Sequence, residues 1–189
     1  GRLDARTGGS IYDRRVVEGL RRLGWHVDVL ELDASFPFPT PAALAQADRA
    51  LAGLRDGTIA IVDSLALGAM PDLIVREASR LSIVALVHLP LAADAGLHRD
   101  ASARFEDGER RALHAAALVV VTGRAALPLI ARYELPAGKV MVVEPGTDRA
   151  PLSRGSGDAI VHLLTVATLN PGKGHEMLCR ALAAVPVSP

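Results

Sequence analysis

Apolar positions recur along this chain in two alternating rhythms. From Thr7 to Leu23 a turn leads into a segment with Ile11, Val16, Leu20 and Leu23 on or near one face, the spacing of an amphipathic helix, and Gly24 is placed to end it. His26–Leu32 (HVDVLEL) alternates polar and apolar residues and predicts a strand. Residues 36–41 hold three prolines and read as a loop, and Ala42–Leu54 reads as a helix. Thr58–Ser64 (TIAIVDS) and Ser82–Leu89 (SIVALVHL) are short apolar runs of the kind that fill buried strands, with a helix over Pro71–Arg80 between them. A charged amphipathic helix over Ala101–Ala117, a strand over Leu118–Thr122, a helix over Ala125–Tyr133 and a strand over Lys139–Glu144 continue the alternation. Residues 149–158 (RAPLSRGSGD) are a Gly/Ser/Pro-rich linker, after which Val161–Leu169 predicts a strand and Glu176–Val185 a helix.

Buried strands alternating with helices predict an α/β fold, a Rossmann-like parallel sheet with helices on both faces. Right-handed crossovers bring every strand's carboxyl end to one edge, where ligands bind. The informative positions are therefore Ser64, His88, Thr122 and Glu144, with the loop before the first helix. One part is absent from the pattern. A Gly-rich loop entering a helix ordinarily follows a strand, yet only six residues precede Thr7 and two are arginine, so the sheet's first strand is expected to be missing from this chain. The expected organisation is a first domain over residues 1–148, a linker over 149–158 and the start of a second domain over 159–189.

Charge and cysteine content narrow the setting. The 189 residues carry 21 basic and 21 acidic side chains, which gives no reason to expect a nucleic-acid partner. Arg14, Arg15, Arg21 and Arg22 crowd one segment and read as a solvated helix face. Cys179 stands alone, so there is no intrachain disulfide and no cysteine cluster for zinc; a reducing, cytoplasmic setting is the expectation. No apolar run approaches the length of a membrane span.

Several motifs carry candidate chemistry. Thr7-Gly8-Gly9-Ser10 opens a helix, where two glycines admit a ligand close to the backbone and the helix N-terminus favours an anion; an ordinary turn capped by Ser10 explains it equally well. His88 ends an apolar strand before Pro90, where it could bond a sugar hydroxyl or transfer a proton; a satisfied, partly buried histidine is the alternative. Asp63 and Ser64 end another strand. Thr122-Gly123-Arg124 ends a third, where Arg124 could reach an anion, and Glu144-Pro145-Gly146-Thr147-Asp148 is a sharp turn that routes the chain. Asn170-Pro171-Gly172-Lys173-Gly174-His175 lies between a predicted strand and a predicted helix. Lys173 is one of two lysines, and its flanking glycines expose N–H groups to a phosphate. The spacing is not that of a P-loop, and no Gly-x-Ser-x-Gly elbow is present.

Taken in order, Gly8-Gly9, His88-Leu89-Pro90, Thr122-Gly123-Arg124, residues 142–148 (VVEPGTD), the linker and residues 163–174 (LLTVATLNPGKG) resemble the family 4 retaining glycosyltransferases of GT-B architecture. The resemblance runs along nearly the whole chain. It implies two Rossmann-like domains around a cleft, and a hexosyl transfer, with retention, from a nucleotide-diphosphate sugar to an unknown acceptor. It implies His88 as the cleft histidine near the transferred sugar, Gly8 and Gly9 near the donor diphosphate or the acceptor, Thr122 and Arg124 at the donor edge, and Lys173 on the donor phosphates. No metal or cofactor is implied, because such cations replace it. The resemblance admits peripheral membrane association of the parent enzyme. Three positions depart from the family pattern. Thr168 stands where an arginine is common, residues 145–148 (PGTD) replace the usual Asn-Gly-Val-Asp turn, and the paired glutamates that hold donor sugar and ribose would lie beyond Pro189. The expectation is therefore a fragment inactive on its own. The apolar edges of two unfinished sheets predict association with another copy or with further chain. The competing expectation is a free-standing Rossmann-like module that binds a phosphate ligand without catalysis.

Overall fold

The computed structural model describes residues 3–157 and 160–186. Its centre is a parallel sheet in which β1 (Ile59–Asp63), β2 (Ser82–Val87), β3 (Leu118–Val121) and β4 (Val140–Val142) pair in chain order. Helices make the crossovers. α3 (Ser64–Leu67) and α4 (Pro71–Glu77) join β1 to β2, α5 (Arg99–Ala115) joins β2 to β3, and α6 (Leu127–Ala131) joins β3 to β4. Upstream lie α1 (Gly8–Arg22) and α2 (Pro41–Ala52), and downstream lies α7 (His175–Ala183). The fold is a mixed α/β, Rossmann-like arrangement with a four-stranded parallel sheet flanked by helices.

Register explains which strand residues are core. Ala60 and Val62 stand beside Ile83 and Ala85, and Ala85 and Val87 stand beside Val119 and Val121, so one face carries a continuous apolar layer. Ile83, Ala85, Val119 and Val121 are fully buried, and they share a core with Ile74 of α4 and Ala112 and Leu113 of α5. Each large aliphatic group removed from water in this layer contributes about 1.5–3 kcal/mol. The other face is less complete. Leu86 is buried, but Ile59, Ile61 and Met141 are exposed, so the expected cover on both faces is only partly built.

Local signals account for the helix ends. Thr7, not Ser10, caps α1: its Oγ1 accepts the Ser10 N–H at 3.2 Å, and Gly8 and Gly9 form the helix's first turn. Gly24 follows the helix with φ +87°, a left-handed turn that favours glycine. Thr40 caps α2 with Pro41 at its first position. The short α3, which the pattern did not foresee, starts because the Asp63 carboxylate accepts the Leu65 N–H at 2.7 Å.

Two predicted strands are corrected. His26–Leu32 is extended but joins no ladder; its Val29 and Leu30 are exposed, and Arg21 of α1 donates to the Val27 carbonyl in place of a strand partner. Val161–Leu169 is likewise in no strand, with Val161, Leu164 and Leu169 strongly exposed. Alternation or apolarity supplies a side-chain pattern, whereas a strand also needs a neighbour for its N–H and C=O groups. Residues 149–157 are exposed and irregular; residue 158 of the expected linker lies outside the described residues, as do 159 and 187–189 of the expected second unit. Among the described residues no helix is long and apolar enough to cross a membrane.

Candidate functional site at the carboxyl edge of the sheet

The parallel strands bring Asp63 and His88 to adjacent positions on one edge. Asp63 ends β1, and His88 follows Val87, the last residue of β2. α1 delivers the third member. Gly9 and Asp13 are one turn apart on this helix, so both meet the same ring. A Cβ on Gly9 would lie 3.3 Å from His88 Cδ2, so glycine leaves room for the imidazole against the helix's first turn. His88 Nε2 is 3.0 Å from Asp13 Oδ1 and 3.5 Å from Asp63 Oδ2. Tyr12 presents its ring edge-on to His88, with centroids 5.4 Å apart, and its hydroxyl donates to the Val143 carbonyl just beyond β4. That bond pins α1 across the sheet edge.

This geometry settles the protons. Two carboxylates converge on Nε2, so Nε2 carries a hydrogen and donates it. Nδ1 has no partner among the described residues. Burial pulls the His88 pKa down, but the hydrogen bond it donates to Asp13 and the charges of Asp13 and Asp63 outweigh it and leave it raised. Asp63 is raised as well, first by burial and further by Asp13, against the opposing Leu65 N–H and His88. Burial and the Asp13 charge raise Tyr12. The cluster is net negative even with the imidazole protonated. It offers two carboxylate acceptors and one ring nitrogen, a set that fits hydroxyl groups better than a phosphate. The three side chains bring these atoms within 4.8 Å of one another, but an Nε2 that carries a hydrogen has no lone pair for a cation.

The other expected site residues are not gathered here. Gly8 lies in the first turn of α1 with open space where a side chain would stand. Thr122 follows β3, half-buried, and its N–H donates to the Val87 carbonyl at 3.2 Å, so it borders the His88 strand. Arg124 is largely exposed, with Nε 4.0 Å from a Glu144 oxygen. Lys173 is exposed in the 3-10 turn Pro171–Lys173, and Gly174 takes a left-handed φ of +68° before α7. The turn's bonds are local: Asn170 and His175 both bond to Thr168. No described hydrogen bond or ion pair carries Lys173 to the His88 cluster. Asp13 and Tyr12 were not singled out from the sequence. The available signal was the helical spacing from Gly9 to Asp13.

Comparisons with models of known protein families and with curated proteins find no match to this chain.

Proposed function

We propose that this chain is the acceptor-side domain and donor-domain opening of a retaining GT-B glycosyltransferase that uses a nucleotide-diphosphate sugar. The observation that carries the reading is His88: its ring is held on one side by Asp13 and Asp63, while Nδ1 stays available at the edge where Rossmann-like sheets bind ligands. In the reaction the bond from the sugar's anomeric carbon to the diphosphate oxygen breaks, one to the acceptor oxygen forms, and the acceptor's hydroxyl proton passes to the leaving diphosphate. His88 bonds a hydroxyl of the transferred sugar, and Gly9 lets that sugar approach α1. Lys173 and Arg124 meet the charge that gathers on the leaving diphosphate, which stabilises the transition state. Metal is not required in this scheme, and the setting is cytoplasmic.

The competing reading is a non-catalytic phosphate-binding module, favoured by the uncommitted Lys173 ammonium in its glycine turn. Ligand-observed NMR with uridine-, guanosine- and adenosine-diphosphate sugars, each against the matching free diphosphate, separates the two. The transferase reading expects one sugar nucleotide to bind about tenfold more weakly after His88→Ala, the cost of one charge-assisted bond. Equal binding of sugar nucleotide and free diphosphate, indifferent to His88, supports the module. No binding by any of them refutes both.

A further inference from the structure

Glu109 is a buried carboxylate with no place in the scheme above. It lies in α5, 2% exposed, and both its oxygens are used. Oε1 accepts the Leu91 N–H at 2.6 Å and Oε2 the Ala92 N–H at 3.2 Å, while the Tyr133 hydroxyl donates to Oε2. Leu91 and Ala92 open the 3-10 turn that directly follows His88-Leu89-Pro90. α5 also holds the same turn from its other polar side: the Ser102 hydroxyl donates to the Ala92 carbonyl at 2.7 Å. The position of this clamp is set by a close helix contact, since a Cβ on Gly108 would lie 2.4 Å from the Gly68 carbonyl oxygen.

We infer that Glu109 is a positioning residue: it anchors the turn after β2 and so holds the His88 ring between Asp13 and Asp63. The inference rests on the reading of His88 as the functional histidine. Burying a carboxylate is costly unless it is fully bonded. Here three donors meet the two oxygens and no acceptor does. Burial raises the Glu109 pKa, while the Tyr133, Leu91 and Ala92 bonds and the Arg132 charge oppose the rise. A glutamine cannot replace it, because its NH2 would face an N–H or O–H donor and leave one buried donor unpaired. With the turn loosened, His88 swings away from its two carboxylates.

The test is an NMR pH titration of His88 in the ligand-free protein, comparing wild type with Glu109→Gln and using His26 and His175 as references. The expected result is a fall in the His88 pKa toward the ordinary histidine value, with both references unmoved. A folded Glu109→Gln protein that is less stable but keeps the His88 titration unchanged overturns the inference, since that is what a purely structural role predicts. If Glu109→Gln does not fold, Tyr133→Phe keeps both backbone bonds and is expected to move His88 in the same direction by less. Amide exchange in the wild type gives a further check: Leu91 and Ala92 exchanging as fast as Gly96 would overturn the clamp. None of these readouts needs a sugar nucleotide. Failure of the transferase reading therefore appears in the ligand titration, and failure of the Glu109 inference appears here.

Discussion

Gly108→Ala tests the packing that underlies the site. Gly108 lies inside α5, where alanine is normally favoured over glycine by about 0.5–1 kcal/mol. At this position the added Cβ would stand 2.4 Å from the Gly68 carbonyl oxygen, against the 3.4 Å of ordinary contact. Roughly 1 Å of separation must open between two backbones, neither of which ends in a flexible group. Overpacking of this kind costs about 1–3 kcal/mol. The displaced helix also pulls Glu109 from the Leu91 and Ala92 N–H groups, at about 1–3 kcal/mol for a buried donor left unmet. After the helix-propensity gain, the net expectation is a loss of about 3 kcal/mol, or a fall in melting temperature of about 6–12 °C for a chain of this size. Gly19→Ala is the control. It too lies inside a helix, but nothing stands within 4 Å of its added Cβ, so it is expected to gain about 0.5–1 kcal/mol. Urea unfolding of both variants, read from midpoints at unchanged slope, measures the contrast. A Gly108→Ala protein within about 1 kcal/mol of wild type would show that the α3–α5 contact is not the constraint argued above.

Gly9→Ala places a methyl group 3.3 Å from His88 Cδ2, so the ring must give by a few tenths of an ångström; sugar-nucleotide binding is expected to weaken while stability holds or rises, and unchanged binding would count against ligand approach at Gly9. The raised pKa of His88 fixes a sign: its contribution to stability is full below the unfolded value of about 6.5 and is lost as pH rises through the folded value. Wild type should therefore lose stability relative to His88→Gln as pH rises above about 6.5 in urea unfolding, and parallel profiles would refute the Asp13–His88–Asp63 pairing. Inorganic pyrophosphate is expected to shift the amide resonances of Gly172 and Lys173 and to leave Gly9 unmoved, with the response lost in Lys173→Ala; a shift centred on Gly9 would reverse this assignment of the charge.

The elements legible in the sequence are those whose own residues supply most of their stability. Ser82–Val87 needs both faces buried, and its apolar run says so; α5 and α1 carry helical spacing and caps within their own stretch. His26–Leu32 and Val161–Leu169 carry equally good strand patterns and join no ladder, because pairing depends on a partner that no local pattern records. The site divides in the same way. His88 was readable because a polar residue ends an apolar strand at the ligand edge. Asp13 was not, because a carboxylate on an exposed-looking helix reads as solvated until the sheet brings His88, distant in sequence, to within 3.0 Å. Glu109 was hidden in a charged helix for the same reason: only the fold shows that α5 turns this one acid inward.

The charge of the His88 cluster bears on how the proposed donor would lie. A helix N-terminus such as that of α1 attracts an anion by about 0.3–1 kcal/mol. A carboxylate about 6 Å from a phosphate charge repels it by about 3 kcal/mol at an effective dielectric near 20, and this edge holds two carboxylates. The nearby cations are already engaged: Arg14 donates to the Leu3 and Ala5 carbonyls, and Arg15 pairs with Asp148. Repulsion therefore exceeds the helix-end attraction, and Gly8-Gly9 is better suited to a sugar's hydroxyl face than to its diphosphate. Under the proposed function this orders the ligand along the cleft, with hydroxyls on Asp13, Asp63 and His88, and the diphosphate turned toward Lys173 and toward Arg124, whose pairing with Glu144 is long at 4.0 Å.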